Sequence, residues 1–264
     1  MSSTFPLRNG LVRFSGETHI GLKRQHNEDS LFLPESDRLT IVADGMGGHA
    51  SGEVASKLAV DTVAEYFRAT QSDTQITWPY KLDWGDFFDQ NRLVAAVKLA
   101  NLRIYERAQK DDKCKGMGTT IVTSLYLEDR VIMGHVGDSR IYRYRDGKLL
   151  QLTEDHSLLN DYIRMKRLSA DEVGKFPHKN VIVRALGMKE AVQVDVLSDR
   201  FHPWDIYMSC SDGLSGMIDD PQIEKLLREA VDLDEACEKM IQAANANGGV
   251  DNITCVLARI EPVS

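Results

Sequence analysis

The chain has 264 residues, 42% of them hydrophobic, and a formal net charge of -8 at pH 7. That length fits one large domain or two small ones with a sizeable core, and the acidic balance disfavours a nucleic-acid binder held by counterion release. The N-terminus lacks the basic-then-apolar layout of a signal peptide and no apolar run reaches about 18 residues, so a cytoplasmic protein without membrane spans is expected.

In chain order, Leu11 to Leu33 reads as extended, two strands interrupted by Gly21 and the polar run Lys23 to Asp29. Leu39 to Ala43 reads as a buried strand that delivers Asp44 into the turn Gly45-Met46-Gly47-Gly48-His49, where bare backbone can approach a ligand closely. From Gly52 to Arg68, Val54, Leu58, Val63, Tyr66 and Phe67 recur near helical spacing. Gln71 to Asp83, with Pro79, reads as a connecting loop, and a second helix is expected over Gly85 to Lys110, with Leu93, Val97, Ile104 and Ala108 on one face. Both helices are expected to cover a core.

The middle of the chain turns to strands. Thr119 to Leu127 is rich in β-branched residues and meets Arg130 to Val136 across Glu128-Asp129, and Ile141 to Arg145 meets Lys148 to Leu152 across Asp146-Gly147. Tight turns between successive strands predict antiparallel sheet. Ser157 to Lys179 is a polar, partly helical excursion. Strands resume at Val181 to Val183, Val192 to Leu197 and Ile206 to Cys210. Helices follow over Pro221 to Glu229 and Asp234 to Ala246, stopped by Asn247-Gly248-Gly249, and Ile253 to Ile260 closes the chain as a strand. Helices in pairs and strands in runs predict an α+β layered sandwich. The four cysteines, Cys114, Cys210, Cys237 and Cys255, form no C-x-x-C pair, and Cys210 and Cys255 sit in apolar strands as small hydrophobes.

The chemistry gathers at strand boundaries. Asp138 follows one strand in Gly137-Asp138-Ser139-Arg140, Asp212 follows another in Ser211-Asp212-Gly213, and Asp251 precedes the last in Gly249-Val250-Asp251-Asn252. Together with Asp44 and Glu28-Asp29 they make an oxygen-only donor set. Brought together, such acids repel one another unless cations compensate, and oxygen donors without a His or Cys set favour Mg²⁺ or Mn²⁺. Two such ions about 4 Å apart share a bridging water, lower its pKa and clamp a phosphoryl group for in-line attack. Arg24 offers a planar fork for two phosphate oxygens; the alternative, a surface salt bridge to Glu28, fits less well because the segment does not read as helical.

The ordered set Arg24-Gln25-His26-Asn27-Glu28-Asp29, Asp44-Gly45-Met46-Gly47-Gly48, Gly116-Met117-Gly118-Thr119-Thr120, Gly137-Asp138-Ser139-Arg140, Ser211-Asp212-Gly213 and Asp251-Asn252 resembles the bacterial branch of the metal-dependent (PPM, type 2C) protein serine/threonine phosphatases, over about Gly21 to Val256. The resemblance implies a single catalytic domain over residues 1–264, built as a four-layer α-β-β-α sandwich of two antiparallel sheets flanked by antiparallel helices. It implies that Asp44 bridges two metals, Gly45 gives a carbonyl to one, Asp212 and Asp251 complete the other, Glu28 binds through water and Arg24 holds the substrate phosphate. Bacterial members can carry a third metal near Asp138, shared with Asp212. The excursion at about 157–179 falls where the family has its flap. Many eukaryotic members have a histidine after the Asp-Gly pair as proton donor. Met46 stands there in this chain, leaving His49 or a metal-bound water as candidates, with His26 and His156 read as structural.

The resemblance implies hydrolysis of phosphoserine and phosphothreonine in proteins by a metal-bridging water or hydroxide, reversing a cognate serine/threonine kinase, with Mn²⁺ or Mg²⁺ as cofactor and a monomeric chain. Cys210 is not expected to be a phosphocysteine nucleophile, since no Cys-x5-Arg loop follows it. A non-catalytic binding module would need no metal-dependent phosphate release, and degenerate members typically lose a metal-site acid that this chain keeps. A two-metal nuclease or phosphodiesterase accounts for the acids, but this acidic chain has no basic track for a polynucleotide.

Overall fold

The computed structural model describes residues 2–35, 37–47, 51–71, 87–165 and 181–262. One sheet has the order β1-β2-β12-β11-β8-β9, built from β1 (Ser2–Leu7), β2 (Gly10–His19), β8 (Arg140–Arg145), β9 (Lys148–Gln151), β11 (Ile206–Cys210) and β12 (Ile253–Pro262). The other has the order β10-β7-β6-β4-β3, from β3 (Asp29–Phe32), β4 (Leu39–Met46), β6 (Ile121–Tyr126), β7 (Arg130–Val136) and β10 (Asp195–Arg200), with β5 (Gly118–Thr119) paired to the end of β4. Every named strand pair is antiparallel.

Period-two alternation sends each strand's side chains into two different cores. In β4, Leu39, Ile41 and Ala43 face α1 (Ser51–Thr70) and α2 (Phe88–Lys110), whereas Val42 faces the opposite sheet. In β12, Ile253, Cys255 and Leu257 pack under the helices of residues 220–229 and 233–246, and Val256, Ala258 and Ile260 face inward. Between the sheets Tyr126 meets Phe14 and Tyr207 edge-on, with ring centroids 5.2 and 6.0 Å apart. Full burial of each such side chain stabilises the fold by about 1.5–3 kcal/mol. The result is the expected four-layer α-β-β-α sandwich. No described helix is long and apolar enough to cross a membrane.

Several boundaries differ from expectation. A hairpin strand, β1, precedes β2. The stretch Thr119 to Leu127 is broken at Thr120, whose N–H turns to Asp44 O (2.9 Å) instead of continuing the ladder. β4 runs on through Asp44 to Met46, so Asp44 lies inside a strand, opposite Asp29. Val181 to Val183 is not a strand; among the described residues it makes one isolated bridge, Ile182 to Ser157, and Ser157 caps the helix that begins at Leu158, so the pairing does not extend into a ladder there. The strand expected at Val192 begins at Asp195 and reaches Arg200: Val192 and Val194 pack against the helix-side core, but the ladder to β7 starts at Asp195 opposite His135. Of the excursion at 157–179, α3 (Leu158–Arg164) is described and residues 166–179 lie outside the described residues; so do most of the loop expected at Gln71 to Asp83, Gly85 and His49.

Candidate metal centre

The antiparallel pairing brings the acids to one end of the sandwich. Asp44 and Asp29 are register partners across β4 and β3. Arg140 stands opposite Cys210, which puts the β7–β8 turn with Asp138 beside Asp212, the first residue of a short helix, α4 (Asp212–Ser215). Cys255 also stands opposite Cys210, which brings Asp251, just before β12, to the same end. Asp138 and Asp212 line a cavity of ≈ 340 Å³ with Arg140, Asp155 and Ser157. A separate, wider depression of ≈ 740 Å³ lies around Asp37, Arg92 and Glu128 and contains none of these acids.

Motif residues without charge fasten the acids in place. Thr119 Oγ1 and the Thr120 N–H both donate to Asp44 O (2.9 Å each), and the Asp44 N–H donates to Thr120 Oγ1 (3.1 Å). Thr120 Oγ1 also bonds Ser139 Oγ at 2.7 Å, so one threonine ties the Asp44 strand to the Asp138 turn. Asn252 accepts from the Glu28 N–H (2.8 Å) and donates to Ile20 O and His26 O (3.0 and 2.9 Å), pinning the Arg24–Glu28 loop to the start of β12. Gly45 donates its N–H to Glu28 O (3.1 Å). A Cβ there would stand 2.6 Å from that oxygen and overlap Gly52 O, so only glycine lets the three segments close up. The Glu28 carboxylate lies against Gly52 in the first turn of α1, where the helix N-terminus favours negative charge.

Burial and mutual repulsion leave these acids short of compensating charge. Burial, then Asp29 and Asp212, raises the Asp44 carboxyl well above the usual carboxylate range. Burial pushes Asp29 up to about 7, against hydrogen bonds from Thr254 Oγ1 (2.6 Å) and Ser211 Oγ (2.8 Å). Asp138 is likewise pushed up to about 7 by burial and by Asp212. Asp212 is raised by burial and Asp251, partly offset by a hydrogen bond with the Asp44 side chain. Arg24 Nη2 donates to Asp251 Oδ2 at 2.6 Å, so its partner is Asp251 and not Glu28. Among the described residues no three His, Cys, Asp or Glu side chains are closed into a ready ligand set, and the Arg24 cation, paired to Asp251, offsets only part of the charge there. The donor set nevertheless fits hard divalent cations: it is all oxygen, it is crowded with like charge, and Asp29 Oδ1 and Asp138 Oδ1 are buried without a hydrogen-bond partner.

Asp29 was visible in the sequence only as the neighbour of Glu28, and its burial under Ser211 and Thr254 makes it part of the centre. Thr119, Thr120 and Asn252 belonged to the matching motifs, but their fastening role needed the tertiary contacts.

A sequence model of the protein phosphatase 2C family matches residues 15–258. The chain belongs to that family. It is a metal-dependent protein serine/threonine phosphatase, as the sequence resemblance implied. The serine/threonine phosphatase stp of Listeria welshimeri is 35% identical over 247 residues, covering 91% of this chain and 92% of its own. The crystal structure of the Mycobacterium tuberculosis serine/threonine phosphatase PstP/Ppp superposes with a TM-score of 0.81 at 34% identity, covering 95% of this chain and 99% of that one. The catalytic domain of PstP in complex with two manganese ions superposes at 0.79 with 33% identity, over 95% and 98% of the two chains.

Proposed function

We propose that this phosphatase works through two divalent cations, Mn²⁺ or Mg²⁺, held by Asp44, the Gly45 carbonyl, Asp212 and Asp251, with Glu28 acting through water and a third ion between Asp138 and Asp212. The observation that carries this is the convergence of five carboxylates on one end of the sandwich with too little cationic charge to neutralise them. The unpartnered Asp138 Oδ1 supports the third position. When bound, the ions supply Lewis acidity and an activated water for in-line attack on phosphorus.

The chain's own residues do the rest. Arg24 is half-exposed and paired to Asp251. An exposed pair of this kind is worth about 0.2–1 kcal/mol, so once Asp251 serves a cation the guanidinium is free to turn its fork to the substrate phosphate. Thr119 and Thr120 keep Asp44 fixed through its backbone, and Asn252 keeps Glu28 and Asp251 in register. Met46 carries no proton to donate, and His49, three positions further along the sequence, is proposed as a side-chain donor to the leaving alkoxide. The proposal extends to a cytoplasmic monomer forming one catalytic domain and opposing a serine/threonine kinase. Four buried free thiols support a reducing compartment, and a phosphorylated substrate requires a kinase to make it.

The test is turnover of a phosphothreonine peptide with Mn²⁺ by Asp44→Asn and Asp212→Asn. Near-complete loss in both is expected; wild-type rates in either overturn the assignment.

A further inference from the structure

Asp138 lies in a turn whose preceding residue, Gly137, is gripped by one residue through both its N–H and its C=O. The main-chain N–H of His156 donates to Gly137 O (2.8 Å), and the Gly137 N–H donates to His156 Nδ1 (3.0 Å). The ring of His135 stacks on that of His156, centroids 4.4 Å apart, and its Nε2 reaches the same Gly137 oxygen at 2.9 Å. Both backbone polar groups of Gly137 are therefore occupied. On the other side, Gly137 has φ +116 and sits where a Cβ would meet Thr120 at 2.6 Å, so the turn cannot relax that way.

The imidazole is itself held. Since the Gly137 N–H donates to His156 Nδ1, the neutral ring carries its proton on Nε2, which stands 3.1 Å from its acceptor Asp195 Oδ2 and also 3.1 Å from Arg184 Nη1. Arg184 Nη1 donates to the other Asp195 oxygen at 2.6 Å and fixes the carboxylate. A second proton on the ring would place an N–H against the Gly137 N–H and open the grip. Burial lowers the pKa of His156, and that of His135 to about 3, so a charge on either ring is disfavoured. The carboxylate this turn presents has a buried oxygen, Oδ1, with no hydrogen-bond partner, so the turn's backbone carries much of the work of aiming it.

We propose that His156 is a positioning residue: its neutral imidazole, oriented by Asp195 and Arg184, holds the Gly137 peptide so that the Asp138 carboxylate stands beside Asp212 in the cavity they share. This depends on Asp138 lining the metal centre, as proposed above. It assigns the His-Asp-Arg cluster outside the metal centre to cation affinity as well as to stability.

The side chains of asparagine and glutamine separate the two ends of the ring. The Oδ1 of asparagine stands as far along the side chain as Nδ1 and can accept from Gly137, whereas glutamine reaches toward Asp195 and leaves Gly137 unmatched. Mn²⁺ titration by calorimetry and the Gly137 amide resonance in metal-free protein are read for His156→Asn, His156→Gln, His156→Ala and Asp138→Asn. Loss of a residue that orients a ligand typically weakens metal affinity about 10–100-fold. That loss at the weakest Mn²⁺ site, with a shifted Gly137 resonance, is expected for the Gln and Ala variants, and recovery toward wild type for Asn. Wild-type affinity in Gln and Ala, or equal loss in all three His156 variants, overturns the inference while an Asp138→Asn defect upholds the centre. Unchanged Mn²⁺ binding in Asp138→Asn overturns both the third position and the inference.

Discussion

Buried acids occupy both ends of this sandwich, and they are treated in opposite ways. At the end where β11 begins, Asp205 is 1% exposed and accepts from Arg145 Nε and Nη2 at 2.7 and 2.6 Å and from the His202 N–H. Asp199 beside it accepts from Arg143 Nη1 at 3.0 Å and from Tyr207 Oη at 2.6 Å. At the end where β11 finishes, Asp29, Asp44, Asp138 and Asp212 crowd one another, and the two arginines beside them are bonded elsewhere, Arg24 to Asp251 and Arg140 to Asp155. A fold that can supply arginines to two acids at one end withholds them from four at the other. Acids that serve stability bring their counter-charge in the chain, and the acids proposed to hold the cations leave theirs to be supplied from solution.

The largest effect should come from Asp44→Asn. Metal-assisted phosphoryl transfer draws several kcal/mol from the ions, so at 1.36 kcal/mol per tenfold kcat should fall by about 10³ or more in a phosphopeptide assay. The metal-free melting temperature should hold or rise, because a repelled carboxylate is gone. Asp205→Asn should do the reverse: normal kcat per folded molecule, with stability lowered by about 3 kcal/mol because Arg145 loses the carboxylate that holds both its Nε and its Nη2. Equal behaviour of these two variants in paired melting and turnover measurements would erase the contrast between the ends.

Cation binding should stabilise only the crowded end, and in a pH-dependent way. Asp29 and Asp138 are raised to about 7 from an unfolded value near 3.9. Their protonated forms therefore contribute stability that is fully present below about pH 4 and lost as pH rises through about 7. The metal-free protein should weaken across that window while Mn²⁺ restores it. The gain is about 2.7 kcal/mol at a hundredfold excess over Kd, or about 5–10 °C in melting temperature. A gain in melting temperature that is flat from pH 5 to 8 would show that the carboxyls do not exchange protons for metal. The smallest effect expected is that of Arg24→Ala. Losing charge-assisted hydrogen bonds of about 1.5–3 kcal/mol should lower kcat/KM about 10–100-fold, with the metal-free melting temperature nearly unmoved because the pair with Asp251 is exposed.

Local pattern made much of this molecule legible. Apolar runs marked β11 and β12 to within two residues, and the Asp146-Gly147 hairpin and the two C-terminal helices followed from turn and capping chemistry. Glycine-flanked acids at strand boundaries named Asp44, Asp138, Asp212 and Asp251 before any contact was known. Val181 to Val183 misled because β-branched residues suit a strand anywhere, while a ladder also needs a neighbouring edge.

The sequence by itself determined the alternation of strands and helices, the oxygen-only character of the donor set and the family motifs, because each of these is written in residues close along the chain. Tertiary structure alone decided that Arg24 pairs with Asp251 across 227 positions, that Asp29 is buried beneath Ser211 and Thr254, and that His156 grips the turn bearing Asp138. Such contacts depend on strand register and sheet stacking, which bring together residues whose separation in sequence carries no local signal.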